Sequence, residues 1–261
     1  MSDANANQQP GMQSTGAAAA EITPRIVDGG QGWNWISQGW DLFRKNPGIW
    51  IGNIVLLCLL AIVIGSVPGI GHIAVGVLMP VMTGGLMLGC AALDRGEPLQ
   101  VAHLFAGFKT NTAQLVLVGV LYMVGELIIF AMVAVVLMLA GGGAILAGLV
   151  GGNAAAMLAG GTAVLLVMIA ALIAAALLVP LLMAVWFAPA LVALSNAQAI
   201  DAMKQSFFAC LANWVPFLIY GLITIVLAIV ASIPAMLGWL VLGPVIVASA
   251  YTGYRDLFPK T

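Results

Sequence analysis

The chain has 261 residues, of which 63% are apolar and only 7% charged, with a mean hydropathy of +1.13 and a net charge of −1. Soluble domains carry roughly 25% charged residues, so this composition excludes a water-clothed globule, and lipid must take up most of the surface. The balance of charge also leaves no basic field that would draw in nucleic acid.

The apolar runs are continuous rather than alternating, which excludes a transmembrane β-barrel and predicts an all-α polytopic bundle. Residues 1–32 are polar and small, lack an apolar core preceded by basic residues, and read as a disordered cytoplasmic tail rather than a leader. Apolar runs follow at 47–67, 73–93, 113–140, 162–194, 214–233 and 236–253. Each is close to the roughly 20 residues needed to cross a bilayer, so about six spans are expected.

The basic residues are Arg25, Arg44, Lys45, Arg95, Lys109, Lys204, Arg255 and Lys260. With six spans all of them fall on one side, while the loops 68–72, 141–161 and 234–238 carry no Lys or Arg. The positive-inside rule then places both termini in the cytoplasm.

A repeat is legible in the segments that precede the first, third and fifth runs. Asn46, Asn111 and Asn213 each follow an apolar stripe spaced 3, 4 and 3 residues. The stripes are Trp33, Ile36, Trp40, Phe43; Pro98, Val101, Phe105, Phe108; and Ile200, Met203, Phe207, Cys210. This is one face of a short helix. Interfacial amphipathic helices are therefore expected at 33–45, 98–110 and 198–212, anchored in the headgroup layer by Trp33, Trp40, Phe43, Phe105, Phe108 and Phe207. The asparagines are expected to end them in the left-handed conformation. A proline recurs in the second helix of each hairpin, at Pro80, Pro180 and Pro244. The unit is an interfacial helix plus a two-span hairpin, used three times in parallel over about 33–94, 98–194 and 198–254. The domain covers 33–258, and 259–261 is a cytoplasmic end. A Gly/Ala-rich insertion at about 141–175 lengthens the middle unit; it suits extended helices, a re-entrant hairpin or two further spans.

Glu126 is the one ionisable acid or base well inside a span, and it must face the bundle or a cavity. Asn53, Thr83, Tyr220 or a backbone carbonyl are its expected partners in a structural role. A proton-coupling role is the alternative. Cys58, Cys90 and Cys210 are widely spaced and read as buried free thiols. Neither histidine has a metal-ligand neighbour, and zinc, nucleophile-elbow and phosphate-loop motifs are absent. No catalytic residue, metal or cofactor is expected, and the chain reads as non-enzymatic.

Gly39-Trp40-Asp41-Leu42-Phe43-Arg44-Lys45-Asn46-Pro47 and Tyr251-Thr252-Gly253-Tyr254-Arg255-Asp256-Leu257-Phe258 resemble a family of uncharacterised proteobacterial six-span inner-membrane proteins. That family is distantly similar to the membrane domain of glycerophosphodiester phosphodiesterases. The resemblance implies a bacterial inner membrane and a six-helix domain, and it supplies no catalytic residues. A membrane-organising or lipid- and protein-interacting role is the leading expectation, with membrane lipids, further copies of the chain or other membrane proteins as partners. A small transporter of an amphiphile, coupled through Glu126, is the alternative.

Overall fold

The computed structural model describes residues 24–139 and 154–259. The described residues form helices joined by short turns, with no strand among them. In chain order these are α1 (Gln31–Lys45), α2 (Pro47–Gly65), α3 (Gly71–Asp94), a 3-10 helix (Val101–Phe108) and α4 (Thr112–Leu139). They continue with α5 (Ala154–Trp186), α6 (Ala188–Ser195), α7 (Ala199–Ala212), α8 (Trp214–Ser232) and α9 (Trp239–Leu257). The chain is a polytopic helical bundle.

Among the described residues, five stretches are long and apolar enough to cross a membrane: α2, α3, α4, Val164–Ser195, and α8. The sixth expected span departs from this. The helix α9 has 19 residues, but its last turns carry Tyr251, Thr252, Tyr254, Arg255 and Asp256. That half can be polar because α1 lies across it and shields it: Tyr251, Thr252 and Tyr254 are all buried.

The middle hairpin is the longest. Helix α4 has 28 residues and α5 has 33, or about 42 and 50 Å at 1.5 Å per residue. Residues 154–175 therefore belong to an extended helix, neither a re-entrant hairpin nor a further span. The rest of the insertion, 140–153, lies outside the described residues.

The interfacial segments are helical, but not uniformly. Segments 33–45 and 198–212 are α-helices, whereas 98–110 contains an eight-residue 3-10 helix. Gln100 and His103 cap that helix reciprocally, with the Gln100 amide donating to His103 Nδ1 at 3.0 Å. Only Asn111 is left-handed, at φ 50°; Asn46 and Asn213 have φ of −154° and −113°. The asparagines stop their helices by other means, described below. Nor is the whole of 1–32 a free tail. The Arg25 amide donates to the Leu257 carbonyl at 2.8 Å, and α1 already starts at Gln31.

The three interfacial helices close a ring. The 3-10 helix packs on α3, the second long helix of the preceding unit, and α7 packs on α5 in the same way. The ring closes with α1, which packs on α9 at the far end of the chain. Small residues make this possible. A Cβ on Gly39 of α1 would lie 2.8 Å from the Ser249 amide nitrogen and 2.9 Å from the Val245 carbonyl oxygen. A Cβ on Gly107 would collide with the Val81 carbonyl and approach the Gly85 nitrogen. Val245 and Ser249 stand one and five residues after Pro244, as Val81 and Gly85 do after Pro80. Two units thus use the same pair of positions to seat an interfacial helix.

Candidate functional site

The residues singled out at the membrane surface divide into two sets. Trp33, Trp40, Phe105 and Phe108 are exposed on the outer side of their helices, and Phe207 is half-buried. Phe43 is not an anchor: at 5% exposure it belongs to the core. The stripe on α1 is wider than the large side chains suggest. Gly32 and Gly39 let that helix approach α8 and α9, so Trp35, Ile36, Leu42 and Phe43 turn inward. On α7 the exposed aromatic is Phe208.

Trp33, Ser37 and Trp40 stand over a groove of about 490 Å³ between α8 and α9. Its walls are apolar, with Leu227, Val230 and Ala231 on one side and Val241, Leu242 and Val245 on the other. Beneath it, the Trp35 indole donates to Asp256 Oδ2 at 3.0 Å. Thr252 Oγ1 donates to the Trp35 carbonyl at 2.9 Å.

The polar residues expected inside the spans are not gathered into one site. Tyr220 shares a 2.8 Å hydrogen bond with Ser249. Asn53 is fully buried, and both its side-chain polar atoms lack a partner among the described residues. Thr83 lines a cavity of about 320 Å³ that α3, α4, α5, α6 and α9 border. Glu126 lines a different groove, of about 400 Å³, between α3 and α4. There the structure adds a residue that depth alone did not suggest: His72, at the start of α3, lines the same groove. Nearest-in-sequence reasoning placed His72 in a loop.

At the charged end, Arg255 joins the first and last units. Its Nη1 donates to both Asp94 carboxylate oxygens at 2.7 Å, and its Nη2 donates to Gln38 Oε1 at 2.7 Å. Tyr251 adds a hydroxyl to Asp94 at 3.2 Å. In the exposed turn beyond, hydrogen bonding and charge from Arg95 hold the Glu97 carboxyl below its ordinary range. Among the described residues no group of His, Cys, Asp and Glu is placed to hold a metal ion.

The amino-acid sequence has a counterpart. Over 205 residues the chain is 32% identical to a probable inner membrane protein of Burkholderia thailandensis, covering 77% of this chain and 74% of that one. The chain belongs to the family of that inner-membrane protein. No family model matches it, and no solved structure matches it.

The break in the middle unit rests on a residue that sequence reasoning passed over. The run 162–194 is not one helix: α5 ends at Trp186 and α6 begins at Ala188. Ser206 of α7 inserts its hydroxyl there, accepting from the Phe187 amide at 2.9 Å and donating to the Met183 carbonyl at 2.6 Å. A side chain inserted into the ladder is a recognised cause of a kink. Ser206 stands seven residues before Asn213, as Gly39 does before Asn46, and that shared offset is the signal that marks it. Two of the cysteines are buried as expected, whereas Cys58 is exposed. Burial pushes the Cys210 thiol up to about 12.

Proposed function

We propose that this protein is a non-enzymatic, multi-pass inner-membrane protein that binds membrane lipids along its interfacial helices and so organises its lipid or protein surroundings. The observation that carries this reading is the groove under Trp33 and Trp40. It joins an apolar channel between two membrane helices to indoles at the level where headgroups begin, which suits a phospholipid with its acyl chain between α8 and α9. The resemblance to the membrane domain of glycerophosphodiester phosphodiesterases agrees with a lipid-facing role. Charge placement supports cytoplasmic termini.

Native mass spectrometry of the chain released from lipid nanodiscs tests the reading. Bound phospholipid should survive release from the parent and fall at least severalfold in Trp33→Ala/Trp40→Ala. Equal retention by both would overturn it. A transporter of an amphiphile is a second reading, favoured by one observation: His72 and Glu126 share a groove. Proton-dependent uptake into proteoliposomes that Glu126→Gln abolishes would support it, and uptake unchanged by Glu126→Gln would remove it.

A further inference from the structure

The cavity lined by Thr83 is separate from the groove under α1. It is bounded by the second helix of every unit: α3 contributes Pro80 and Thr83, α5 contributes Val185 and Trp186, and α9 contributes Ala250. The break at Phe187 borders it, between Val185 and Trp186 on one side and Pro189 on the other. Helix α5 packs mainly on α4 and α7, at the periphery, whereas α6 turns inward and packs on α3. Every residue of α6 from Ala188 to Ala193 is buried, so α6 closes the cavity at the charged end of the bundle.

Thr83 lies eleven residues from the end of α3 at Asp94, or about 16 Å along the helix. Half of a bilayer core is about 15 Å. The cavity thus sits near the midplane, where parallel repeats meet and where one helix is discontinuous. Membrane proteins built from repeats place their ligands at such a point.

The chemistry of the walls narrows what fits. No described lining residue carries a charge, so an ionised headgroup or a metal ion has no counterpart there. Two hydroxyls are available, from Thr83 and Tyr122. Two carbonyls also lose their helical donor, of which the Gly76 oxygen lies against α4 at Gly119. Pro80 has no amide hydrogen to return to the carbonyl of Gly76, and Pro189 has none for Val185. Gly76, Pro80, Val185 and Pro189 all line the cavity. The remaining surface is Met, Leu, Ile, Val and Trp. An open apolar pocket with a few donors and acceptors and no charge matches a neutral hydroxyl on a hydrocarbon body.

We propose that this cavity is a binding site for an uncharged lipid alcohol, whose hydroxyl is held by Thr83, Tyr122 and the carbonyl that Pro189 frees at Val185, while its hydrocarbon fills the rest of the space. A long-chain alcohol and a diacylglycerol offer the same chemistry, and the test separates them. The inference extends the lipid-binding reading to a second site, and the two fail independently. Phospholipid retention reports the groove, and the labelling below reports the cavity.

The full chain in phosphatidylcholine nanodiscs is irradiated with diazirine-bearing probes: a long-chain alcohol, a diacylglycerol, an alkane of equal length, and the alcohol's phosphate ester. Peptides covering 76–87 and 182–189 are read by mass spectrometry. One of the two alcohols should label them, and which one does so identifies the source. Ala250→Phe fills the pocket and should cut labelling at least tenfold. Thr83→Val keeps shape and removes one hydroxyl, so labelling should fall roughly three- to tenfold. This second variant decides the matter if Ala250→Phe does not fold. Labelling by the alkane or the phosphate as strong as by the alcohols, or labelling indifferent to Thr83→Val, would overturn the proposal.

Discussion

Asn213 holds Arg25 across 188 residues of sequence. Its Nδ2 donates to the Arg25 carbonyl at 3.1 Å and to the Ala209 carbonyl at 2.9 Å, while its Oδ1 accepts from the Val27 amide at 2.9 Å. The other two anchor asparagines reach forward in the same sense. Asn46 donates to the Leu99 carbonyl at 3.3 Å, just ahead of the 3-10 helix. Asn111 donates to the Val192 carbonyl at 3.2 Å and to Asn196 Oδ1 at 2.7 Å, just ahead of α7. Each asparagine ends its own interfacial helix and ties down the entry to the next. Asn213 closes the circle by tying the entry to the first.

Removing that tie should loosen the start of the chain first. Asn213→Ala loses three hydrogen bonds at a site that is 1% exposed, and it leaves the Val27 amide without its acceptor. At about 1 kcal/mol per bond, the expected loss of stability is about 2–4 kcal/mol. Hydrogen exchange should accelerate at residues 24–30 ahead of the rest. Asn46→Ala gives up one long bond and should cost about 1 kcal/mol. Equal costs for the two variants would contradict the unequal bonding.

The seating of the ring predicts a contrast among glycines. A methyl group at Gly39 would meet backbone atoms of α9, which cannot yield as a flexible side chain can. Overpacking costs about 1–3 kcal/mol, set against a gain of about 1 kcal/mol in helix propensity. Gly39→Ala should therefore lower the melting temperature and separate α1 from α9. Gly52→Ala meets nothing within 4 Å and should be neutral or slightly stabilising. Thermal unfolding of the two variants in one detergent would distinguish them.

The helices and their order were legible because apolar runs of this length leave few alternatives. The repeat is legible because an Asn ends the same 3, 4, 3 apolar stripe in each unit and a proline recurs in each second helix. The inward side of each interfacial helix is not legible in the sequence. A stripe of large residues identified Trp33, Trp40 and Phe43 as a single face, yet Gly32 and Gly39 bring the helix so close to α8 and α9 that Phe43 and Trp35 are enclosed. The sixth run is the least apolar for the same reason: the polar end of α9 is covered by protein, a partner from the other end of the chain that no window of sequence contains. Ser206 and His72 were missed because a break in a helix and a shared groove are properties of packing. The pairing of Glu126 with Asn53 or Tyr220 was drawn from depth along the spans, which leaves the direction around each helix open.

Orientation is checked by thiol labelling. All eight basic residues flank one end of the spans, so a cysteine placed at position 100 should react only when reagent reaches the cytoplasm. The native background should be quiet. Cys90 and Cys210 are buried, and at pH 7–8 the Cys210 thiol, titrating near 12, stays protonated and unreactive. Cys58 is the native thiol to replace. Labelling at position 100 by an impermeant reagent from the periplasmic side would reverse the topology.

The last prediction concerns Ser206, whose hydroxyl stands between Met183 and Phe187. In an unbroken helix the Phe187 amide would bond the Met183 carbonyl directly. Here both partners are routed through Ser206, at 0% exposure. Ser206→Ala removes the bridge and leaves a buried amide and a buried carbonyl to find each other. If they do, α5 and α6 straighten toward one helix, and α6 moves out of its place against α3. If they do not, two unsatisfied groups cost about 1–3 kcal/mol each. Either way the variant should be destabilised, and its effect should register at the cavity, through the lining residues Val185, Trp186 and Pro189. Trp186 is the natural reporter, since its indole packs edge-on to Tyr220 and Phe217. Ser206→Ala should shift its fluorescence relative to a reference in which the other tryptophans are replaced. Ser206→Thr keeps the hydroxyl and should retain the parent spectrum if the extra methyl is accommodated. Identical spectra and melting temperatures for Ser206→Ala and the parent would show that Pro189 alone makes the break.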